Sequence, residues 1–440
     1  MLALAFRSAL RHRASTVATG IIATIGTALV VAMAALLATG LTAGERSEFL
    51  TLFPMIVGGW IVVIVVFAMA STIGVTLEGR AGEFTGLRLI GAEPGQIRRL
   101  IVAETAVVSV VAAIPGAVLG VLLGGAALAG IRGGGAADPS TPYLPGVLPP
   151  LVGAVVVVAA SVVAGILTGR RPARGSVLGA PDEGTPRVRR GARRLIAVLV
   201  VLAGVGSAVA TLTSGSADLL AAATTGPACV LLAVGACLFA PELIGLAGHL
   251  SLGTAASAWL AARNLDAAPE RVRPLVTFLT LFVGVAAGTL GMQGIENAAG
   301  SAMPDAELIA TINYLVVGLL AGFMAVALVN NLIAAVLRRR AEFSMMRLIG
   351  ATPPETQRML LREVTAATVV SVLAGGAAGL VATIPYAVVK TGALWAALAP
   401  LPYLAAAAVG TALALGVAAL VGRRAVPGAR SGRRAVAAPA

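Results

Sequence analysis

Apolar runs of twenty or more residues recur along the whole chain, and they constrain its fold more than any other feature. Each is long enough to cross a hydrocarbon core of about 30 Å as a helix. Lipid offers no partners to backbone N–H and C=O groups, so a spanning segment must satisfy them internally. The runs do not alternate in polarity and are too long for barrel strands. The sequence therefore predicts an all-α polytopic membrane protein. Ten spans are expected, at roughly 16–42, 52–77, 102–130, 147–168, 195–213, 219–239, 274–295, 311–337, 364–388 and 397–421.

An even number of spans places both termini on one side. Of 32 basic residues, 31 are Arg and the remaining one is Lys390. With the N-terminus in the cytoplasm, 29 Arg fall on the cytoplasmic side, and Arg46, Arg132 and Lys390 remain outside. This asymmetry predicts a cell-membrane protein with both termini cytoplasmic. The basic clusters lie between apolar runs with almost no aromatic residues among them, which argues against nucleic acid as a partner. Membrane lipids are the expected partners, with tail arginines near anionic headgroups. Cys229 and Cys237 stand too far apart on one helix to bridge and read as packed thiols. His12 and His249 have no ligand-like company, so neither a metal site nor a His-dependent triad is expected. The first apolar run is too long for a cleaved signal peptide.

The chain repeats itself. Glu83 to Glu104 reads EFTGLRLIGAEPGQIRRLIVAE, and Glu342 to Glu363 reads EFSMMRLIGATPPETQRMLLRE. Gly116 and Gly120 precede Gly375 and Gly379 by the same offset, and both pairs have the small-xxx-small spacing that lets helices approach closely in lipid. RSALRHRAS from Arg7 and RNLDAAPERVR from Arg263 stand before the first span of each half, at an offset of roughly 256 that implies a small indel. The expected organisation is a four-span unit at 1–168 and a flexible basic cytoplasmic linker at 169–194. A central two-span pair at 195–250, a second four-span unit at 251–421 and a disordered basic tail at 422–440 follow. Leu2, Phe6 and Leu10 predict a short interfacial helix before the first span, with a counterpart at 251–268.

The repeated segment is amphiphilic and sits between spans. Its first part reads as the end of the preceding span, closed by Gly91 or Gly350 in a left-handed conformation. Thr352 then stands at an N-cap and Pro353 at the first helical position, with Glu93 and Pro94 as the weaker first copy. The result is a helix–break–helix elbow. A bare turn needs only a few polar residues. Here Phe84, Leu87, Leu89 and Ile90, with Phe343, Met346, Leu348 and Ile349, stand among charges in about twenty residues. Such apolar residues call for a partner surface. Glu104 and Glu363 are expected to pair with Arg99, Arg362 or headgroups.

The pattern EFxxxRLIGAxP…R…E, its place between the second and third spans of each half, and the pre-span RNL stretch resemble the FtsX-like permease family. That family includes the MacB-type, lipoprotein-release-type and peptide-antibiotic-resistance-type ABC transporter permeases. The layout is most similar to members with two such units joined by an extra span pair. The resemblance implies that the elbows are coupling helices that dock onto a separate ABC ATP-binding subunit, with two copies for two elbows. The implied docking residues are Glu83, Phe84, Arg88, Leu89, Gly91, Pro94 and Arg99, and Glu342, Phe343, Arg347, Leu348, Gly350, Pro353 and Arg358. Family members commonly carry a large extracellular domain. Here the matching connections, Ala43–Leu50 and Glu296–Glu307, are short, so functions that need such a domain are not implied.

With Lys390 as its one lysine the chain cannot hold a GxxxxGK[ST] loop; no cofactor is expected on it, and ATP and Mg²⁺ would sit on the partner. An ion-coupled secondary transporter is the alternative, but the expected spans have no ionisable groups at their centres. Catalytic clusters that would make the chain an enzyme are missing from the sequence. The expected role is ATP-driven export or extraction of a lipid, lipopeptide or peptide antibiotic, or force transmission across the membrane. A sensor kinase or accessory membrane protein is a further candidate partner.

Overall fold

The computed structural model of the chain describes residues 13–43, 48–78, 80–133, 137–168, 187–215, 219–250, 256–300, 314, 318, most of 321–337, and 339–426. No strand occurs among them. Their helices are α1 (Arg13–Thr42), α2 (Glu48–Glu78), α3 (Ala81–Leu89), α4 (Pro94–Gly133), α5 (Leu148–Thr168), α6 (Arg187–Ala210) and α7 (Leu219–Leu238). There follow α8 (Ala240–Leu250), α9 (Ala256–Ala267), α10 (Arg273–Ala299), α11 (Arg340–Leu348), α12 (Pro353–Thr391) and α13 (Pro400–Ala425). Among the described residues, nine helices are long and apolar enough to cross a membrane. This is an all-α polytopic membrane protein. The expected span at 311–337 falls partly outside the described residues, and those described from 321 to 337 are helical.

Two expectations need correction. The basic linker is not irregular to its end, because α6 begins at Arg187 and carries Arg193 and Arg194 in helix. Both pair with Glu242 of α8, and a fixed carboxylate partner favours ordered backbone over a solvated tether. Likewise residues 422–425 continue α13, with Arg423 and Arg424 in the last turn, where cations favour the helix dipole. Residues 2–10, 169–186 and 427–440 lie outside the described residues, whereas the stretch 251–268 contains a short helix, α9.

Each unit is built on a glycine seam between its first span and its longest helix. A Cβ at Gly116 would stand 2.6 Å from the Thr24 carbonyl oxygen, and one at Gly120 2.6 Å from that of Ala28. In the second unit a Cβ at Gly375 would stand 2.7 Å from the Thr280 oxygen, and one at Gly379 3.2 Å from the Gly284 oxygen. Thr24 and Ala28 correspond in the repeat to Thr280 and Gly284, so the two seams are the same contact made twice. Backbone cannot give way as a side-chain end can, so only glycine admits this approach.

The two units meet on a pseudo-two-fold axis. Asn331 Nδ2 donates to Thr72 Oγ1 at 3.2 Å, across a separation of 259 residues. That is the offset relating the two elbows, so equivalent positions touch each other, as a two-fold relation requires. Both side chains are buried, and Asn331 also donates to the Ala327 carbonyl at 2.7 Å. Five apolar spans stand between α2 and the helix at 321–337, so the two run in the same direction. Thr72 and Asn331 each lie eight residues before Arg80 and Arg339, and both elbows leave the bundle at the same face.

Candidate functional site

The elbows begin at Arg80 and Arg339. At each the preceding span ends in a turn, with Arg80 N–H on the Leu77 carbonyl and Arg339 N–H on that of Val336. The elbow helix is thus a separate element and not, as the sequence suggested, the tail of the span. Short helices of nine residues do not stand alone in water, so something must hold them. In both copies that is a ring and a guanidinium. Phe84 and Phe343 are each 1% exposed, with Arg80 5.4 Å and Arg339 5.2 Å from the ring centroids. Neither ring is available to a partner, which removes Phe84 and Phe343 from the expected docking surface: a side chain committed to the core anchors the elbow from beneath.

The guanidinium is the weld. Arg80 donates to Glu104 at 2.6 Å and to Glu83 at 3.2 Å. Arg339 grips both carboxylate oxygens of Glu363, with Nη2 to Oε1 at 3.2 Å, and holds both of Glu342 at 3.3 Å. Glu104 and Glu363 therefore pair with the arginine that opens the elbow, and the expected partners Arg99 and Arg362 remain exposed. The fork of Arg suits two carboxylates at once, where a lysine would offer one point charge. Burial by itself would lower the Arg339 pKa, but Glu363 and Glu342 outweigh it and the net shift is upward, so the group stays charged. In the second unit Asn264 of α9 donates to Glu363 at 2.6 Å, and Arg271 reaches Glu342 at 2.7 Å. Arg80 and Arg339 carried a readable signal, since each stands three residues before the repeated Glu-Phe pair.

The break that follows is the same in both copies. Gly91 has φ +95° and Gly350 φ +100°, the left-handed region that glycine enters at little cost. Ala92 N–H then bonds the Leu87 carbonyl, and Ala351 N–H that of Met346, both at 2.9 Å, closing the helix with a Schellman motif. The long helix restarts at Pro94 or Pro353. In the second copy Thr352 and Glu355 form a full capping box, with Thr352 N–H on Glu355 Oε2 at 2.9 Å. In the first, Gln96 accepts from Glu93 N–H at 3.2 Å, which supplies the returning half of the box.

What remains outward is apolar. Leu89 and Ile90 are 67% and 82% exposed, and Leu348 and Ile349 are 86% and 85% exposed. Gly91, Pro94, Arg99, Gly350 and Arg358 are exposed around them, with Glu83, Arg88, Glu342, Arg347 and Pro353 at the edge. Pro94 lies ten residues before Glu104, so the tip stands about 15 Å beyond that carboxylate along the helix. Each elbow therefore carries a greasy tip on a charged, welded base. Among the described residues, no group of His, Cys, Asp and Glu could hold a metal ion.

A multi-span bundle with two matched elbows on one face defines a polytopic membrane protein of duplicated build. The FtsX-like permease C-terminal family matches residues 55–177 and again 314–426, more than half of the chain. The chain belongs to the FtsX-like permease family. Each match spans one elbow and its long helix, and the two begin at the same offset that relates Thr72 to Asn331. The family consists of permease subunits of ABC transporters, transport proteins rather than enzymes, which generally pair with an ABC ATP-binding subunit. Comparison with curated proteins returns no match.

Proposed function

We propose that this chain couples ATP hydrolysis on two copies of a separate ATP-binding subunit to the export or extraction of a hydrophobic or amphipathic molecule. The observation that carries the reading is the elbow pair: two apolar tips at one face, each held through a buried arginine to the longest helix of its unit. The arginine asymmetry supports a cytoplasmic position for that face, on the side where ATP is found. ATP and Mg²⁺ would be bound by the partner. Each tip would sit in a cleft of one ATP-binding subunit, with Leu89 and Ile90, or Leu348 and Ile349, as the buried contacts and the flanking arginines as the rim.

Closure of the ATPase pair would then push the tips together. The Arg80–Glu104 and Arg339–Glu363 pairs would pass that displacement into α4 and α12, each about 60 Å long and able to tilt as a lever. A bundle whose outward helix faces are apolar suits cargo that enters from the bilayer, such as a lipid, lipopeptide or peptide antibiotic. The test is co-purification with a co-expressed ABC ATP-binding subunit. Deleting residues 83–92 and 342–351 should abolish the complex while the membrane-inserted chain persists, and a complex that survives both deletions contradicts the reading.

A further inference from the structure

At the end of the bundle remote from the elbows, the two units stop resembling each other. The second unit gathers Gln293, Glu296 and Asn297 from the last turns of α10 with Tyr386 and Lys390 from the end of α12. Lys390 Nζ lies 2.8 Å from Glu296 Oε1 and 5.7 Å from the centroid of the Tyr386 ring. The Tyr386 hydroxyl donates to the same Glu296 oxygen. One turn along, Gln293 donates to Asn297 at 2.9 Å, and Asn297 to the Tyr314 hydroxyl at 3.1 Å. At the equivalent places the first unit has Leu37, Gly40, Leu41, Ala127 and Ile131. The two ends thus differ in kind: one holds a carboxylate, the one lysine of the chain and a tyrosine between them, where the other holds apolar residues.

A clamp for a helix end does not need this. At the equivalent places the first unit packs apolar side chains, Leu50 lying against Gly40, and its nearby Arg132 and Tyr143 bond backbone carbonyls, those of Thr141 and Val121. Charged groups near lipid are costly and persist where they serve a purpose. The pair is also accessible, since the Glu296 side chain keeps a quarter of its surface and the Lys390 side chain a tenth.

We propose that this cluster binds the head of a zwitterionic amphipathic molecule, with its ammonium on Glu296 and its anion on Lys390. Among the described residues of the cluster, the Glu296 and Lys390 charges compensate each other. A zwitterion is neutral too, and inserting one turns a single ion pair into a closed ring of four alternating charges. At no stage is an uncompensated charge left in the low-dielectric margin of the bilayer, which is what a purely cationic or anionic head would require. The Tyr386 hydroxyl holds the carboxylate oriented, and Gln293 and Asn297 supply neutral donors and acceptors beside it. The apolar outward face of α13 would carry the tail, with Leu401 and Leu404 exposed along it. The use of such a site in transport rests on the permease reading; the binding itself does not.

The test needs the chain alone. Trp395 lies five residues beyond Lys390 and is 76% exposed, so in a W60F/W259F background its fluorescence reports on this corner. The detergent-solubilised protein is titrated with lyso-phosphatidylethanolamine, with an alkylamine and with an alkyl phosphate of the same chain length. The zwitterion should bind at least ten-fold more tightly than either single-charge amphiphile. Glu296→Gln and Lys390→Met should each lose at least ten-fold of that affinity. The exchange E296K/K390E separates clamp from receptor: it should restore the melting temperature and leave the affinity low, because the tail fixes the polarity of the head. Equal binding of all three amphiphiles, or wild-type affinity in the exchanged protein, overturns the proposal. Neither result bears on whether the elbows take an ATPase.

Discussion

The two units share a seam, an elbow and a weld, yet their surroundings differ. In the second unit α10 is buried almost all round, from Pro274 through Thr289. Its counterpart α1 leaves Val17, Ile21 and Leu41 exposed. The cause is the central pair: α7 lies against α10, so a Cβ at Gly284 would be 2.8 Å from that of Ala233, and Cys237 Sγ donates to the Thr277 carbonyl at 3.0 Å. A duplicated fold has thus been used once as a core and once as a flank. The elbow itself is conserved across that difference, which separates what the elbow needs from what its neighbours add.

The largest effect expected of any single change tests the depth of the two welds. The Arg339 and Glu363 side chains are 8% and 1% exposed, against 10% and 10% for Arg80 and Glu104. Arg339→Ala strands a carboxylate in the core, a loss of about 3–5 kcal/mol, and should lower the melting temperature of the solubilised protein sharply. Arg80→Ala should cost less, and the reverse order would break the comparison. Next come the seams. Gly116→Leu and Gly375→Leu both drive a side chain into a carbonyl of the facing helix and should each cost about 1–3 kcal/mol. If one of them is tolerated, the two seams are not the same contact.

A smaller effect sharpens the axis between the units. A double-mutant cycle of Thr72→Val with Asn331→Ala should give a coupling of about 0.5–1.5 kcal/mol in thermal stability. A coupling of zero would mean that the two spans do not meet there. The smallest effect distinguishes the restarts of the long helices. Thr352→Ala removes a capping box and should cost about 1 kcal/mol, whereas Glu93→Ala should be nearly silent, because there Gln96 bonds a backbone N–H that survives the change. Equal losses would show that the first copy has a cap of its own.

The fold was legible because lipid leaves a spanning chain few choices, and the duplication was legible because Glu83 to Glu104 repeats residue types. Gly91, Gly350 and the Thr352–Pro353 start could be read for the same reason: a left-handed turn and an N-cap each demand particular residues. What escaped was pairing in space. Glu104 was matched to its sequence neighbour Arg99, but helical geometry brings Arg80 back over it from another element. Phe84 looked like a docking residue because periodicity cannot say which apolar side chains of a short amphiphilic helix turn inward. Thr72 and Asn331 were invisible as a pair, since they differ in type and only the axis relates them. The helical start of α6 was missed because an arginine-rich stretch has the composition of a tether until Glu242 fixes it.

The central claim is that each elbow tip holds one ATP-binding subunit. The most direct measurement is the mass of the complex formed by the solubilised chain with that subunit, for wild type, for L89D/I90D, for L348D/I349D and for all four changes together. The account predicts two, one, one and no ATP-binding subunits per chain. Two subunits on the fourfold variant would contradict it.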